Sequence, residues 1–205
     1  MAVFEIAEKL TLNLEGKYSD RKADAGGKTM YGITERTARE NGYMGDMKNL
    51  TLEEANRIYK TAYWDRLKLS DVEDQDIANE IFDTAVNCGK TFAAVTVQRV
   101  LNAFNRYGND WKDITIDGRI GPITIKILNK AIKKRKDNLL KGLNVVQGNK
   151  YVELAENPNR RDELNINGWF ANRIGLNMGN SDRPSTQIIE NVSLWQAVKK
   201  HIFKK

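Results

Sequence analysis

Apolar positions recur at helical spacing along nearly the whole chain, and the alternation expected of strands is almost absent. Val3, Ala7, Leu10 and Leu14 form one stripe that runs straight to Glu15. Thr51 and Glu54 have the spacing of a capping box, in which the hydroxyl serves an orphan amide and the carboxylate reaches back. Behind them Ala55, Ile58, Tyr59, Ala62 and Tyr63 share a face. Ile77, Ala78, Ile81, Phe82 and Ala85 make the next stripe, and Asn87-Cys88-Gly89 then offers a glycine at the left-handed stop position. Val97, Leu101 and Phe104 predict another helix, ending near Tyr107-Gly108-Asn109. Gly121-Pro122 puts proline where a first turn tolerates it, ahead of Ile125, Leu128, Ala131 and Ile132. A longer helix is predicted over 137–156, stopped by Pro158 and weakened at Gly142 and Gly148. A last short helix should begin around Gly168-Trp169.

Two stretches do not fit the helical pattern. Residues 16–34 are rich in Gly, Asp, Lys and Thr and read as a long loop or a small hairpin. A loop of that length is functional or disordered, and its tyrosines and the Gly26-Gly27 pair argue against disorder. Residues 178–186 read as a linker to a final segment carrying Val192, Trp195 and Val198.

At 205 residues, with 40% apolar and 29% charged positions, the chain has globular composition and room for one or two small domains. No apolar run approaches the ~20 residues of a membrane-spanning helix. The acidic, interrupted start of the chain is unlike an export signal, so the sequence is expected to be mature protein made in the cytoplasm. Cys88 is the single cysteine and His201 the single histidine. That excludes an internal disulfide, a Cys/His zinc site and a protease built on a central histidine. Chemistry must run on carboxylates, hydroxyls, amides or lysines, with no metal or cofactor. Cys88 reads as an apolar filler, His201 as a solvated tail residue, and Asp117-Gly118 as a turn.

The net charge of +6 is uneven: between Lys126 and Lys150 eight basic residues face the single acid Asp137, and Lys199, Lys200, Lys204 and Lys205 close the chain. Two readings stand, a solvated helix face or a surface that steers the protein toward a polyanion. Nucleic acid is disfavoured as partner because no recognised motif accompanies the charge.

Candidate chemistry gathers after the first stripe. Glu15 follows apolar residues, so its surroundings should be partly dry, which raises a carboxyl pKa as a general acid requires. Asp20 and Asp24 lie in a polar loop and should stay ionised. One acid of high pKa beside an ordinary carboxylate is the arrangement of glycoside hydrolysis. Thr29 could position a water. Tyr18, Tyr31 and Trp64 either belong to the core or stack on sugar rings. Asn87 either caps its helix or bonds an N-acetyl group. On spacing alone, a glutamate at a helix end followed by a charged loop is more often structural than catalytic.

The same residues resemble a known family. Glu15-Gly-Lys-Tyr18, with Asp24-x-Gly-Gly-x-Thr29-x-Tyr31-Gly-Ile-Thr34, is similar to the Glu-Gly-Gly-Tyr signature of glycoside hydrolase family 108, N-acetylmuramidases of bacteria and phages. Ile58-Tyr-x-x-x-Tyr-Trp64, Phe82-Asp-x-Ala-Val-Asn-x-Gly89 and Ala94-Val-x-x-Gln98 continue the likeness. Asp117-Gly-x-Ile-Gly-Pro-x-Thr124 and Gly168-Trp-Phe-x-Asn-Arg173 resemble the peptidoglycan-binding region that follows it. Lys17 departs from the signature and adds a cation two residues from the acid.

The resemblance implies a mainly α, lysozyme-like fold with a small loop or hairpin after the first helix. It implies a catalytic part over 1–105, a helical peptidoglycan-binding region over 106–178 packed on it, and a linker with a basic C-terminal helix over 179–205. The implied activity is cleavage of the β-1,4 bond between N-acetylmuramic acid and N-acetylglucosamine, with Glu15 as acid and Asp24 or Asp20 assisting. A lytic transglycosylase and a non-catalytic wall-binding or secretion-assisting protein are the alternatives. The expected partner is the glycan strand, met by a monomer in the periplasm or wall. Because no export signal is read, access through a holin-type pore and a phage or prophage origin are expected.

Overall fold

The computed structural model describes residues 1–12, 18, 28–158 and 163–175. Expectations for Glu15, Lys17, Asp20, Asp24 and the segment 179–205 lie outside the described residues. Along the described chain run α1 (Phe4–Leu12), the strands β1 (Thr29–Met30) and β2 (Ile33–Thr34), α2 (Glu35–Glu40), α3 (Leu52–Tyr59), α4 (Gln75–Cys88), α5 (Lys90–Ala103), α6 (Pro122–Ala155) and α7 (Glu163–Asn172). The fold is mainly α, as the hydrophobic pattern implies.

In α1 the buried positions are Phe4, Ala7 and Thr11, whereas Val3 is exposed and Leu10 half-buried, so the expected stripe is rotated. The entry of the chain explains the shift. The Ala2 amide bonds the Val72 carbonyl at 2.9 Å, and the Gln75 side chain holds both the Val3 amide (2.7 Å) and carbonyl (3.1 Å). Val3 is thereby fixed as backbone, and the Phe4 ring turns inward, edge-on to Trp64 and Phe82 at 5.7 Å each.

The capping box forms as read: the Glu54 amide donates to the Thr51 hydroxyl at 3.2 Å and the Thr51 amide to the Glu54 carboxylate at 2.9 Å. Ala55, Ile58, Tyr59 and Ala62 are buried, while Tyr63 is half-buried with the Lys90 ammonium 5.2 Å over its ring. A π-helical turn, Lys60–Trp64, continues α3. It seats Trp64 wholly inside the core, its indole N–H on the Ser70 hydroxyl at 2.8 Å.

Helix α4 is the axis of the fold. Every residue from Ile77 to Ala85 is buried, the polar Asn79, Glu80, Asp83 and Thr84 included, because α1 covers one side and α5 and α6 the others. It ends at Gly89, whose φ of +94° and ψ of 150° are open essentially to glycine alone. Gly89 also starts α5, so the two helices share one corner residue.

The helix from Pro122 and the longer one predicted over 137–156 exist, but as the two arms of α6, joined at Arg135 (φ −162°, ψ 51°). Cations of the basic run hold this kink. Asp110 takes Lys134 at 2.6 Å and Arg135, Lys133 meets Glu73 at 2.9 Å, and Lys136 bridges Asp74 (2.8 Å) and Asp76 (2.7 Å). Four consecutive basic residues are thus ties to other elements rather than free surface, a role neither expected reading contained. Lys126, Lys130 and Lys141 remain exposed. Gly142 is a close-approach position: a Cβ there would meet the Phe104 ring at 3.0 Å and Val100 at 3.1 Å.

Helix α7 starts earlier than expected, so Gly168 lies inside it. The Trp169 ring stacks on Tyr151 at 4.8 Å, and the backbone must be helical on both sides of it to bring Arg173 to the core.

Candidate functional site

The segment carrying the candidate acid is bracketed by two anchored elements. Upstream, α1 is tied to α3 through a bond from the Asn56 amide to the Glu8 carboxylate. Downstream, β1 and β2 pair antiparallel, Thr29 with Thr34 and Met30 with Ile33, so the hairpin allowed for over 16–34 is present at its end. Its turn, Tyr31-Gly32, has positive φ at both residues (50° and 75°), the signature of a two-residue hairpin turn that follows strand twist. Tyr59 of α3 donates its hydroxyl to the Tyr31 carbonyl at 2.9 Å, fixing the turn on the same helix that holds Glu8. Helix α3 is therefore the common base of both brackets.

The expected site residues separate into groups. Glu15, Asp20 and Asp24 lie outside the described residues. Tyr18 is half-buried against the core with the Lys48 ammonium 5.4 Å over its ring. Thr29 and Tyr31 are half-buried in the hairpin, which packs on the turn containing Lys48, so these three residues occupy one region. Trp64 does not join them. Of its two readings the structure gives the core one, since it is completely buried in an aromatic cluster with Phe4 and Phe82. Asn87 sits in the last turn of α4 and donates to the Asp83 carbonyl at 2.8 Å, while the Gly89 amide closes the helix on Ala85. Its amide thus bonds within the helix and does not cap it.

Three carboxylates escaped the sequence reading. Glu8 is half-buried, and burial, with the neighbouring Glu5 charge, raises its pKa against the opposing pull of Lys9 and the Asn56 bond. Glu80 and Asp83 are fully buried on α4. Asp83 accepts from Arg173 of α7 at 2.7 Å and from the Gln147 amide of α6 at 2.8 Å, and Gln147 also donates to the Tyr151 hydroxyl at 3.0 Å. The signal for them was available: both interrupt an apolar run, and a charge amid such a run is either paired or an error of register. Beside them burial, with the Asp83 charge, pushes the Cys88 thiol up to about 12, so it stays protonated and inert, as a filler should. Asp117 accepts from the Gln98 amide at 2.7 Å and the Arg119 amide at 2.9 Å, bonds that lower its pKa and make it a turn. No cluster able to hold a metal ion occurs among the described residues, and no helix among them is long and apolar enough to cross a membrane.

Comparison with known proteins agrees with this layout. The structure of Brucella abortus SagA matches with a TM-score of 0.62 at 22% identity, covering 95% of this chain and 94% of that one, a likeness of fold. No curated protein matches the chain significantly. Residues 9–89 match the family described as glycosyl hydrolase 108, and residues 92–174 match the predicted peptidoglycan domain. The first segment runs from the last residues of α1, just after Glu8, through the hairpin to the end of α4, and the second from the first turn of α5 through α7. The chain therefore carries a glycosyl hydrolase 108 domain over residues 9–89 followed by a predicted peptidoglycan domain over residues 92–174, a pairing that supports a glycosidase directed at peptidoglycan.

Proposed function

We propose that the protein is an N-acetylmuramidase that hydrolyses the β-1,4 bond between N-acetylmuramic acid and N-acetylglucosamine, with Glu15 as the proton donor. The observation that supports it is the position of the Glu15-Gly-Lys-Tyr18 motif inside the glycosyl hydrolase 108 segment, between α1 and a hairpin both pinned to α3. A carboxyl group held in a defined orientation toward the leaving oxygen is the first requirement of general acid catalysis. Glu15 protonates the leaving oxygen as the glycosidic bond breaks. Asp24 or Asp20 then stabilises the oxocarbenium-like centre or activates the water that completes hydrolysis. The substrate places the action in the periplasm or cell wall.

Digestion of defined peptidoglycan with product analysis tests this reading. Reducing N-acetylmuramic ends are expected from wild type, and their formation should fall at least about 100-fold in Glu15→Gln, the usual scale for losing a general acid. Products ending in 1,6-anhydromuramic acid would instead make it a lytic transglycosylase. Near-normal release by Glu15→Gln would remove Glu15 from the mechanism.

A further inference from the structure

The turn after α5 contains a feature that the hydrolase reading does not use. Arg106, Tyr107 and Gly108 all have positive φ (56°, 58° and 80°), and two of the three are not glycine. The left-handed region is costly for a bulky side chain and persists only where the surroundings enforce it. Here Asn105, itself buried, enforces it: its side-chain oxygen accepts the Gly108 amide at 3.1 Å, its carbonyl accepts the Asp110 amide at 3.1 Å, and its side-chain amide is held by Asp113. Asn109 clamps the Arg106 carbonyl with its side-chain amide at 2.8 Å. The result is Tyr107 with its ring wholly in solvent, the most exposed large hydrophobic side chain among the described residues.

A turn serving only to connect α5 to the next segment would place glycine or asparagine in the left-handed positions, and both residue types occur next door. Burial does not explain the tyrosine either, because the ring touches solvent on all sides. Arg106 beside it is exposed and forms no ion pair among the described residues, the nearby Asp110 being occupied by Lys134 and Arg135. A flat aromatic face next to an available guanidinium fits one chemistry well. The ring can stack on the C–H face of a pyranose, and the cation can meet the carboxylates of a stem peptide.

We infer that Tyr107, with Arg106, is a glycan-stacking site by which the peptidoglycan domain grips the wall strand. The inference rests on the peptidoglycan reading above and adds the place of contact. Cosedimentation of the full-length protein with purified insoluble peptidoglycan tests it, in a Glu15→Gln background so that the strand is not cut. Tyr107→Ala should weaken the apparent Kd about tenfold, the scale of one lost aromatic anchor. Tyr107→Phe should bind within about twofold of wild type, because the flat face remains. Tyr107→Gly should bind as weakly as the alanine variant while melting no lower than wild type, since glycine relieves the backbone. Alanine and glycine variants that sediment like their parent overturn the proposal alone. A parent that stays in the supernatant overturns both the proposal and the wall-binding reading beneath it.

Discussion

The two matched segments are built differently. Residues 9–89 are short elements arranged around α4, and their candidate chemistry hangs on a connection between α1 and the hairpin. Residues 92–174 are long helices, and their cations hold a kink and tie surface carboxylates. Yet the border between them, at Gly89, is not a physical seam. Helix α4 of the first segment packs against α5 and α6 of the second, and the buried Asp83–Arg173 pair ties that same helix to the end of the second segment. A boundary in sequence families need not be a boundary in folding. The expected result is one cooperative unfolding transition for residues of both segments.

Breaking the buried pair should have the largest effect. Asp83→Ala removes a buried carboxylate from the Arg173 guanidinium, about 7% exposed in the native protein, and from the Gln147 amide. Loss of one partner of a buried pair costs about 3–5 kcal/mol. In a denaturant titration followed by helical circular dichroism and by tryptophan fluorescence, both signals should shift together to a lower midpoint. Two separated transitions, with the first segment unmoved, would show that the halves fold independently.

Gly89→Ala acts at the corner itself. Nothing lies within 4 Å of the added methyl group, so the cost is purely conformational, about 1–3 kcal/mol for a backbone region nearly closed to other residues. Both signals should again move together. Thr51→Ala, in contrast, touches only the helix that holds the two brackets. Losing this cap should cost about 1 kcal/mol and should loosen the Tyr59–Tyr31 and Asn56–Glu8 ties. The expected signature is a fall in kcat on peptidoglycan larger than the small fall in Tm explains.

What could be read from the sequence follows from how far each signal reaches. Capping at Thr51, the stripe of α4 and the stop at Gly89 are local events within a few residues, so they are written in adjacent positions. The register of α1 was misread because it is set by Val72 and Gln75, some seventy residues away in sequence. The joining of the two arms of α6 depends on Asp110, which apolar periodicity does not see. For the candidate site, the motif around Glu15 could be read because spacing and residue type carry it. Trp64 could not be assigned, since an aromatic beside tyrosines looks alike in a cleft and in a core. The π-helical turn that buries it leaves no mark in the hydrophobic pattern.

The smallest effect, and the most specific to the contact between α1 and α3, concerns Glu8. Its carboxylate accepts from the Asn56 amide, while the Asn56 side-chain oxygen is buried and finds no donor among the described residues. A protonated carboxyl would satisfy both, donating to that oxygen while accepting from the nitrogen. This geometry agrees with the raised pKa, whose leading cause is burial. Raised above its unfolded value of 4.5, Glu8 favours the fold fully only below that pH, and the contribution is lost as pH rises through the folded value. Glu8→Gln supplies a permanent amide donor in the same shape. It should raise Tm by about 1–3 °C at pH 7 and change it little at pH 4, where the native carboxyl is already protonated. Melting curves of the two proteins at both pH values decide the matter. A Tm that falls in Glu8→Gln at pH 7 but not at pH 4 would mean that the carboxylate is stabilised as an ion, and that α1 is tied to α3 by charge rather than by a neutral hydrogen-bonded pair.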